Sequence, residues 1–324
     1  MTTRRMVLAG ALLAGAVGKV AAQPTPALLG SGESIRLWPG APPGGGGPKT
    51  PLLSAEQGHD PLHPDRWLTS VAEPVLVFHR APNPDGSAVL LVPGGGYGFL
   101  AYDNEGTKPA AWFNARGVHA YILMYRLPSE GWGAGADAPL QDAQRAARLI
   151  RSRAVRDGVD PKRLAVLGFS AGGHLAGSLI THFDAPAYPH IDVADALSAR
   201  PDLAGLIYPV ITMDKPFVHA GSRDMLLGKG ASPERAAAYS IETAISERTP
   251  PTFLAHNGDD GLVPVQNSLA AYQALLAAKR TAELHCFAEG GHGFGFRADP
   301  ALPVSHWPDL FFNFGRREGV FKAG

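Results

Sequence analysis

Short apolar runs and helically spaced segments take turns along the chain from about residue 66 onward, and few folds accommodate that rhythm. Val75 to Phe78, Ala88 to Val92, Val118 to Tyr125, Leu164 to Phe169, Leu203 to Tyr208, Thr252 to Ala255 and Glu283 to Phe287 read as strands. Ala88 to Val92 is apolar at every position, as a strand buried on both faces requires. Between these runs lie helix candidates: Thr107 to Arg116, Pro139 to Arg156, Ala171 to Thr181, Val265 to Ala278 and a terminal one starting at Trp307. In the second of these, Ala143, Ala146, Ala147, Ile150 and Ala154 share a face and arginines take the other. The alternation predicts an α/β fold, a mostly parallel central sheet with helices on both faces. Ala185 to Arg200 and Thr212 to Ala236 are insertions that follow strands, at the carboxyl edge of the sheet where ligands bind.

The chain divides into three parts. Residues 1–22 read as an export signal: Arg4 and Arg5, then an apolar stretch from Met6 to Val17, then small residues at Val20-Ala21-Ala22. Thr3-Arg4-Arg5-Met6-Val7-Leu8 fits a twin-arginine (Tat) address, and an ordinary Sec signal is the alternative. Either implies a periplasmic or secreted protein. The stretch is too short to span a bilayer, and no longer apolar run follows. Residues 23–65 form a loop-rich lead-in containing Pro42-Pro43 and Gly44 to Gly47. No Gly-Lys-Ser/Thr follows those glycines, so they are not a phosphate loop. Residues 66–324 form the domain that carries the strand–helix alternation.

Charge and cysteine content remove several function classes. Basic and acidic residues balance at 29 each, and removal of residues 1–22 leaves a net charge of −3, which argues against a nucleic-acid binder. The single cysteine, Cys286, excludes a disulfide framework and a multi-cysteine metal site. It falls in a strand and reads as an inert buried thiol.

Gly168-Phe169-Ser170-Ala171-Gly172 stands between a strand and a helix. A G-x-S-x-G turn there is sharp, exposes the Ser170 hydroxyl and aims the helix N-terminus at a developing oxyanion. A serine nucleophile needs a base. Of the 12 histidines, His292 lies in Gly290-Gly291-His292-Gly293-Phe294-Gly295 after the last strand, where glycines let the loop bend back over the sheet edge. His174, His182 and His256 read as packing or surface residues. The orienting carboxylate belongs after the strand ending near Ala255, where Asp259 and Asp260 stand. Asp260 is favoured by its place four residues before Pro264, with Asp259 holding the turn. Pro93-Gly94-Gly95-Gly96-Tyr97 follows a buried strand, so the Gly95 and Gly96 amides, with that of Ala171, are candidate oxyanion donors.

The order Ser170, Asp260, His292 is that of the α/β-hydrolases. Further stretches resemble one group among them: Leu37-Trp38-Pro39-Gly40-Ala41-Pro42, Tyr125-Arg126-Leu127, Asp142 with Arg145 and Arg148, Gly172-Gly173-His174, Tyr208-Pro209-Val210-Ile211 and Val263-Pro264-Val265 with Asn267-Ser268. The chain resembles the group containing acetyl xylan esterases and bifunctional feruloyl/acetyl esterases over roughly residues 35–314. The resemblance implies hydrolysis of short-chain, chiefly acetyl, esters on xylan or related carbohydrate. It implies Ser170, Asp260 and His292 as the chemistry, with no cofactor and no metal. Pro93 stands where lipases and esterases carry the histidine of His-Gly-Gly-Gly, which leaves open which glycine donates. Tyr97, Tyr102, Trp132, Phe294 and Trp307 are aromatics that could line a sugar cleft, and of these Tyr97, Trp132 and Phe294 are taken as the candidates. Arg126 reads as structural, with Asp142 as its partner, and Trp307 as core. A general carboxylesterase or feruloyl esterase, an oligopeptidase and a non-catalytic sugar-binding relative are the alternatives; the chain is too short for the extra domain of an oligopeptidase.

Overall fold

The computed structural model describes residues 21–22, 29–60 and 64–322. The expected export signal, residues 1–22, thus lies outside the described residues except for Ala21–Ala22. Eight strands make the main sheet: β1 (Glu33–Arg36), β2 (Val75–His79), β3 (Ala88–Val92), β4 (His119–Met124), β5 (Leu164–Phe169), β6 (Leu203–Ile207), β7 (Thr252–Asn257) and β8 (Ala282–Phe287). Their spatial order is β1-β2-β4-β3-β5-β6-β7-β8. Strand β2 runs antiparallel to both β1 and β4, and the other neighbours are parallel. The sheet is mostly parallel, as the alternation predicts. Strands β3 to β7 are buried at every residue, because helices cover both faces.

The principal helices are α1 (Lys108–Asn114), α2 (Ala138–Ser152), α3 (Ser170–Thr181), α4 (Ala220–Leu227), α5 (Pro233–Ala238), α6 (Gln266–Ala277) and α7 (Trp307–Arg317). On one face α2 packs on α3. On the other, Phe113 of α1 meets Phe311 of α7 edge-on at 6.2 Å. Trp307 is fully buried, as its core assignment requires. Two departures are local. The helix expected from Thr107 begins instead as a π-helical turn, Asp103–Thr107, and the insertion after β6 contains α4 and α5.

The lead-in is more ordered than a loop-rich reading suggests. Its β1 closes one edge of the main sheet, and Leu53–Glu56 joins Arg66–Thr69 and Leu100–Ala101 in a small antiparallel sheet. Buried ion pairs fasten it down. Arg126 and Asp142 are both fully buried and paired at 2.9 Å, as expected of them. Asp142 also accepts from Trp38 Nε1 at 2.8 Å, and Arg126 donates to the Pro43 carbonyl at 2.8 Å. Arg145 donates to the Leu37 carbonyl and pairs with Asp192 and Asp195. Each buried guanidinium thus finds acceptors within the fold, without which its burial would be costly.

Cys286 departs from its expected burial. Strand β8 is the outer edge of the sheet, and the Cys286 side chain is exposed there.

Candidate active site

The turn from β5 into α3 carries Ser170 at φ +53°, a left-handed backbone that a non-glycine residue adopts only under constraint. The neighbours must be small. A Cβ on Gly168 would sit 2.3 Å from the Gly172 carbonyl oxygen, and one on Gly172 would sit 2.2 Å from that of Val92. Ala171 lies in the first turn of α3, where amides have no intrahelical acceptor.

Three separate segments converge on this turn. The Ser170 Oγ lies 2.9 Å from His292 Nε2, and His292 Nδ1 lies 2.7 Å from Asp260 Oδ2. A carboxylate only accepts, so the proton sits on Nδ1 and Nε2 is left to accept from the Ser170 hydroxyl. Asp260 Oδ1 accepts from the Leu262 and Val263 amides, both at 2.9 Å. Burial pushes the Asp260 carboxyl up, but the bonds from His256 and His292 outweigh it and hold the group well below the usual carboxylate range. Asp259 is elsewhere: it accepts from the Gly290 and Gly291 amides at 3.1 and 2.9 Å, bracing the loop that carries His292.

The glycine loop after β3 lies against the nucleophile. A Cβ on Gly94 would approach the Ser170 Cβ to 2.9 Å. Gly94 donates its amide to Glu105 Oε2 at 2.6 Å. The Gly95 and Gly96 amides have no hydrogen-bond partner among the described residues. Their φ values, +122° and +62°, need glycine.

The three aromatic residues expected to line a sugar cleft are packed instead. Tyr97 is 1% exposed, and its hydroxyl donates to His174 Nδ1 at 2.7 Å. Trp132 lies over Gly47, and the Arg126 guanidinium sits 5.3 Å from its ring centre. Phe294 meets Tyr208 edge-on at 4.4 Å. Tyr97 and Phe294 adjoin functional loops in sequence and Trp132 does not, but burial of the large ring decides where each points. His174 packs as anticipated: Nε2 donates to the Tyr239 carbonyl at 2.7 Å, and burial lowers its pKa to about 4.

Two residues of the site carry no motif. His256, at the end of β7, is fully buried, with Nε2 3.1 Å from Asp260 Oδ2 and 3.0 Å from the Val263 carbonyl. Both are acceptors, so Nε2 carries the proton and Nδ1 accepts from Ser268 at 2.8 Å. Glu105 is buried behind the glycine loop and accepts from Tyr208 at 2.8 Å. A histidine directly after the apolar run Phe253-Leu254-Ala255, four residues before Asp260, is the sequence signal for the first. Glu105 had none. Among the described residues, no group of three or more His, Cys, Asp or Glu side chains is arranged to hold a metal ion.

Such a constellation on such a sheet invites comparison with known proteins. An endo-1,4-beta-xylanase B of Butyrivibrio fibrisolvens is 38% identical over 205 residues, 63% of this chain and 32% of that protein. An acetylxylan esterase of Xylanibacter ruminicola is 34% identical over 225 residues, 68% of this chain and 44% of that protein. The chain therefore spans less than half the length of either relative. Among solved structures, an acetyl ester-xyloside bifunctional hydrolase from Caldicellulosiruptor lactoaceticus superposes with a TM-score of 0.73 at 34% identity, covering 90% of this chain and 98% of that one. The BD-FAE family model matches residues 82–275, from the approach to β3 into α6 and through the turn that carries Ser170. The chain belongs to the BD-FAE family and is an α/β hydrolase of the acetyl xylan esterase-like kind.

Proposed function

We propose that the protein is a carboxylic ester hydrolase that removes short acyl groups, chiefly acetyl, from xylan or a related carbohydrate by a serine acyl-enzyme route. The observation that carries the mechanism is the unbroken relay from Ser170 Oγ through His292 to Asp260, at 2.9 and 2.7 Å, on a left-handed serine. The relatives support the substrate: the xylanase, the acetylxylan esterase and the acetyl ester-xyloside hydrolase, each 34–38% identical to this chain, are named for acetyl ester, xyloside or xylan chemistry.

Ser170 Oγ attacks the ester carbonyl carbon while its proton passes to His292 Nε2. Asp260 stabilises the imidazolium that results. The carbonyl oxygen, now an anion, is met by the amides of Gly95, Gly96 and Ala171; one such donor is worth about 2.7–4 kcal/mol in comparable sites. Collapse of the adduct breaks the bond to the sugar oxygen, which leaves with the proton from His292. Water then attacks the acyl-serine with His292 again as base, and acetate departs. We further propose that residues 1–22 direct export, followed by a lead-in and one catalytic domain. No helix of the described residues is long and apolar enough to cross a membrane.

Replacement Ser170→Ala tests the mechanism. It lowers turnover of p-nitrophenyl acetate by roughly 10⁴-fold or more, with the melting temperature nearly unchanged. Undiminished turnover in the pure variant refutes it. Acetate release from acetylxylan, set against ferulate release from methyl ferulate and against longer p-nitrophenyl esters, tests the substrate; a preference for ferulate or long acyl chains replaces the acetyl reading.

A further inference from the structure

The π-helical turn Asp103–Thr107 sits between the glycine loop and α1, with Asp103, Asn104, Glu105 and Gly106 all buried. Such turns insert an extra residue into a helix and are common at functional sites. Here three consecutive polar side chains reach three different places. Asp103 grips the backbone amide and guanidinium of Arg66. Asn104 holds the His292 loop: its Nδ2 donates to the Gly293 carbonyl at 3.1 Å, and its Oδ1 accepts from the Phe296 amide at 3.2 Å. Glu105 holds the Gly94 amide with one oxygen and the Tyr208 hydroxyl with the other, at 2.6 and 2.8 Å. Tyr208 is itself on a left-handed backbone, φ +38°, and its ring lies edge-on to the His292 imidazole at 4.9 Å.

Two adjacent residues of one turn therefore fasten the two loops that must meet around Ser170. Neither carries a role in the mechanism above. We propose that Asn104 and Glu105 are positioning residues that set the oxyanion amides at their working distance from the nucleophile and the imidazole. The inference rests on the serine-esterase reading. It concerns geometry: Glu105 acts through the Gly94 peptide, and the donors that meet the oxyanion are its neighbours Gly95 and Gly96. Oxyanion donors act only when the oxygen has moved into its transition-state place. A loop displaced by a fraction of an ångström thus lowers kcat and leaves KM nearly as it was.

The experiment is steady-state kinetics of E105A, E105Q, N104A and Y208F on p-nitrophenyl acetate, with the melting temperature of each. E105A is expected to lose about 10²-fold in kcat, the scale of one lost oxyanion donor, with KM within about threefold. E105Q recovers most of that loss, because glutamine accepts from Gly94 with its oxygen and donates to Tyr208 with its nitrogen. N104A loses about tenfold in kcat, and Y208F, which removes only the hydroxyl holding the second Glu105 oxygen, loses severalfold at constant KM. A folded E105A with wild-type kcat overturns the proposal, as does an E105Q no better than E105A. Should E105A not fold, Y208F decides: unchanged kcat overturns it. Labelling of the wild-type protein by a fluorophosphonate separates the two levels. A wild type unlabelled at Ser170 sinks the serine mechanism, whereas labelling combined with an indifferent Glu105 sinks only this inference.

Discussion

Asp260 and Glu105 are two buried acids, one bonded to the His292 imidazole and one to the glycine loop, and their surroundings drive them apart. Asp260 has four donors: the Leu262 and Val263 amides of its own loop on one oxygen, and the His256 and His292 rings, from β7 and from the loop after β8, on the other. The π-helical turn gives Glu105 two, the Gly94 amide and the Tyr208 hydroxyl. Burial raises both carboxyls. For Asp260 the bonds reverse that and leave it below its ordinary value; for Glu105 they offset it only in part and it stays above. Glu105 lies deeper and has fewer donors, and both differences favour its neutral form over the anion held at Asp260.

The largest expected effect breaks the Asp260 side. Asp260→Asn leaves the shape but offers His292 the wrong partner for its Nδ1 proton, and kcat on p-nitrophenyl acetate is expected to fall by about 10⁴-fold, the loss such a change causes in comparable triads. A smaller effect comes from thinning the donors. His256→Leu removes one hydrogen bond from Asp260 Oδ2 and is expected to lower kcat about tenfold, equivalent to ~1.4 kcal/mol of barrier. Unaltered kinetics would mean that His256 only fills space.

The smallest effect sharpens the comparison, because the two acids make stability depend on pH with opposite signs. Asp260 binds its proton less tightly when folded, so its contribution is present above its unfolded value near 3.8 and is lost only as the solution becomes strongly acidic. Glu105 binds its proton more tightly when folded. Stability from that source is present at and below the unfolded value of 4.5 and declines as pH rises through the folded one. Thermal melts between pH 4 and 8 should therefore show E105Q gaining on the wild type with rising pH, by a few degrees at most, while D260N stays behind throughout. Parallel curves for wild type and E105Q would show that Glu105 titrates alike in both states.

Legibility in the sequence follows the same division. Ser170, His292 and Asp260 sit in local patterns whose chemistry requires particular neighbours, and the glycines around them have steric reasons visible in the turn. The parallel strands announce themselves as apolar runs that need burial on both faces. The Arg126–Asp142 pair was also anticipated. What escaped is tertiary. Whether Tyr97, Trp132 or Phe294 faces a cleft depends on what packs above it, and each found a partner. Strand β1 buries only Ile35 of its four residues, too weak an alternation to stand out. Glu105 has no motif because one of its partners, Tyr208, is 103 residues away, and His256 shows its role only once the strand end and the Asp260 loop are folded against each other.

The ties between the lead-in and the buried guanidinium groups bear on how this fold could be joined to another module. A joint placed at residue 66 would sever β1 from the sheet edge and strip Arg126 of Pro43, Arg145 of Leu37 and Asp142 of Trp38. The arginines would keep their carboxylate partners but lose neutral acceptors, and a buried hydrogen-bonding group left unsatisfied costs about 1–3 kcal/mol. A fusion partner therefore belongs upstream of Glu33, where the backbone can be extended without opening the floor beneath the arginines.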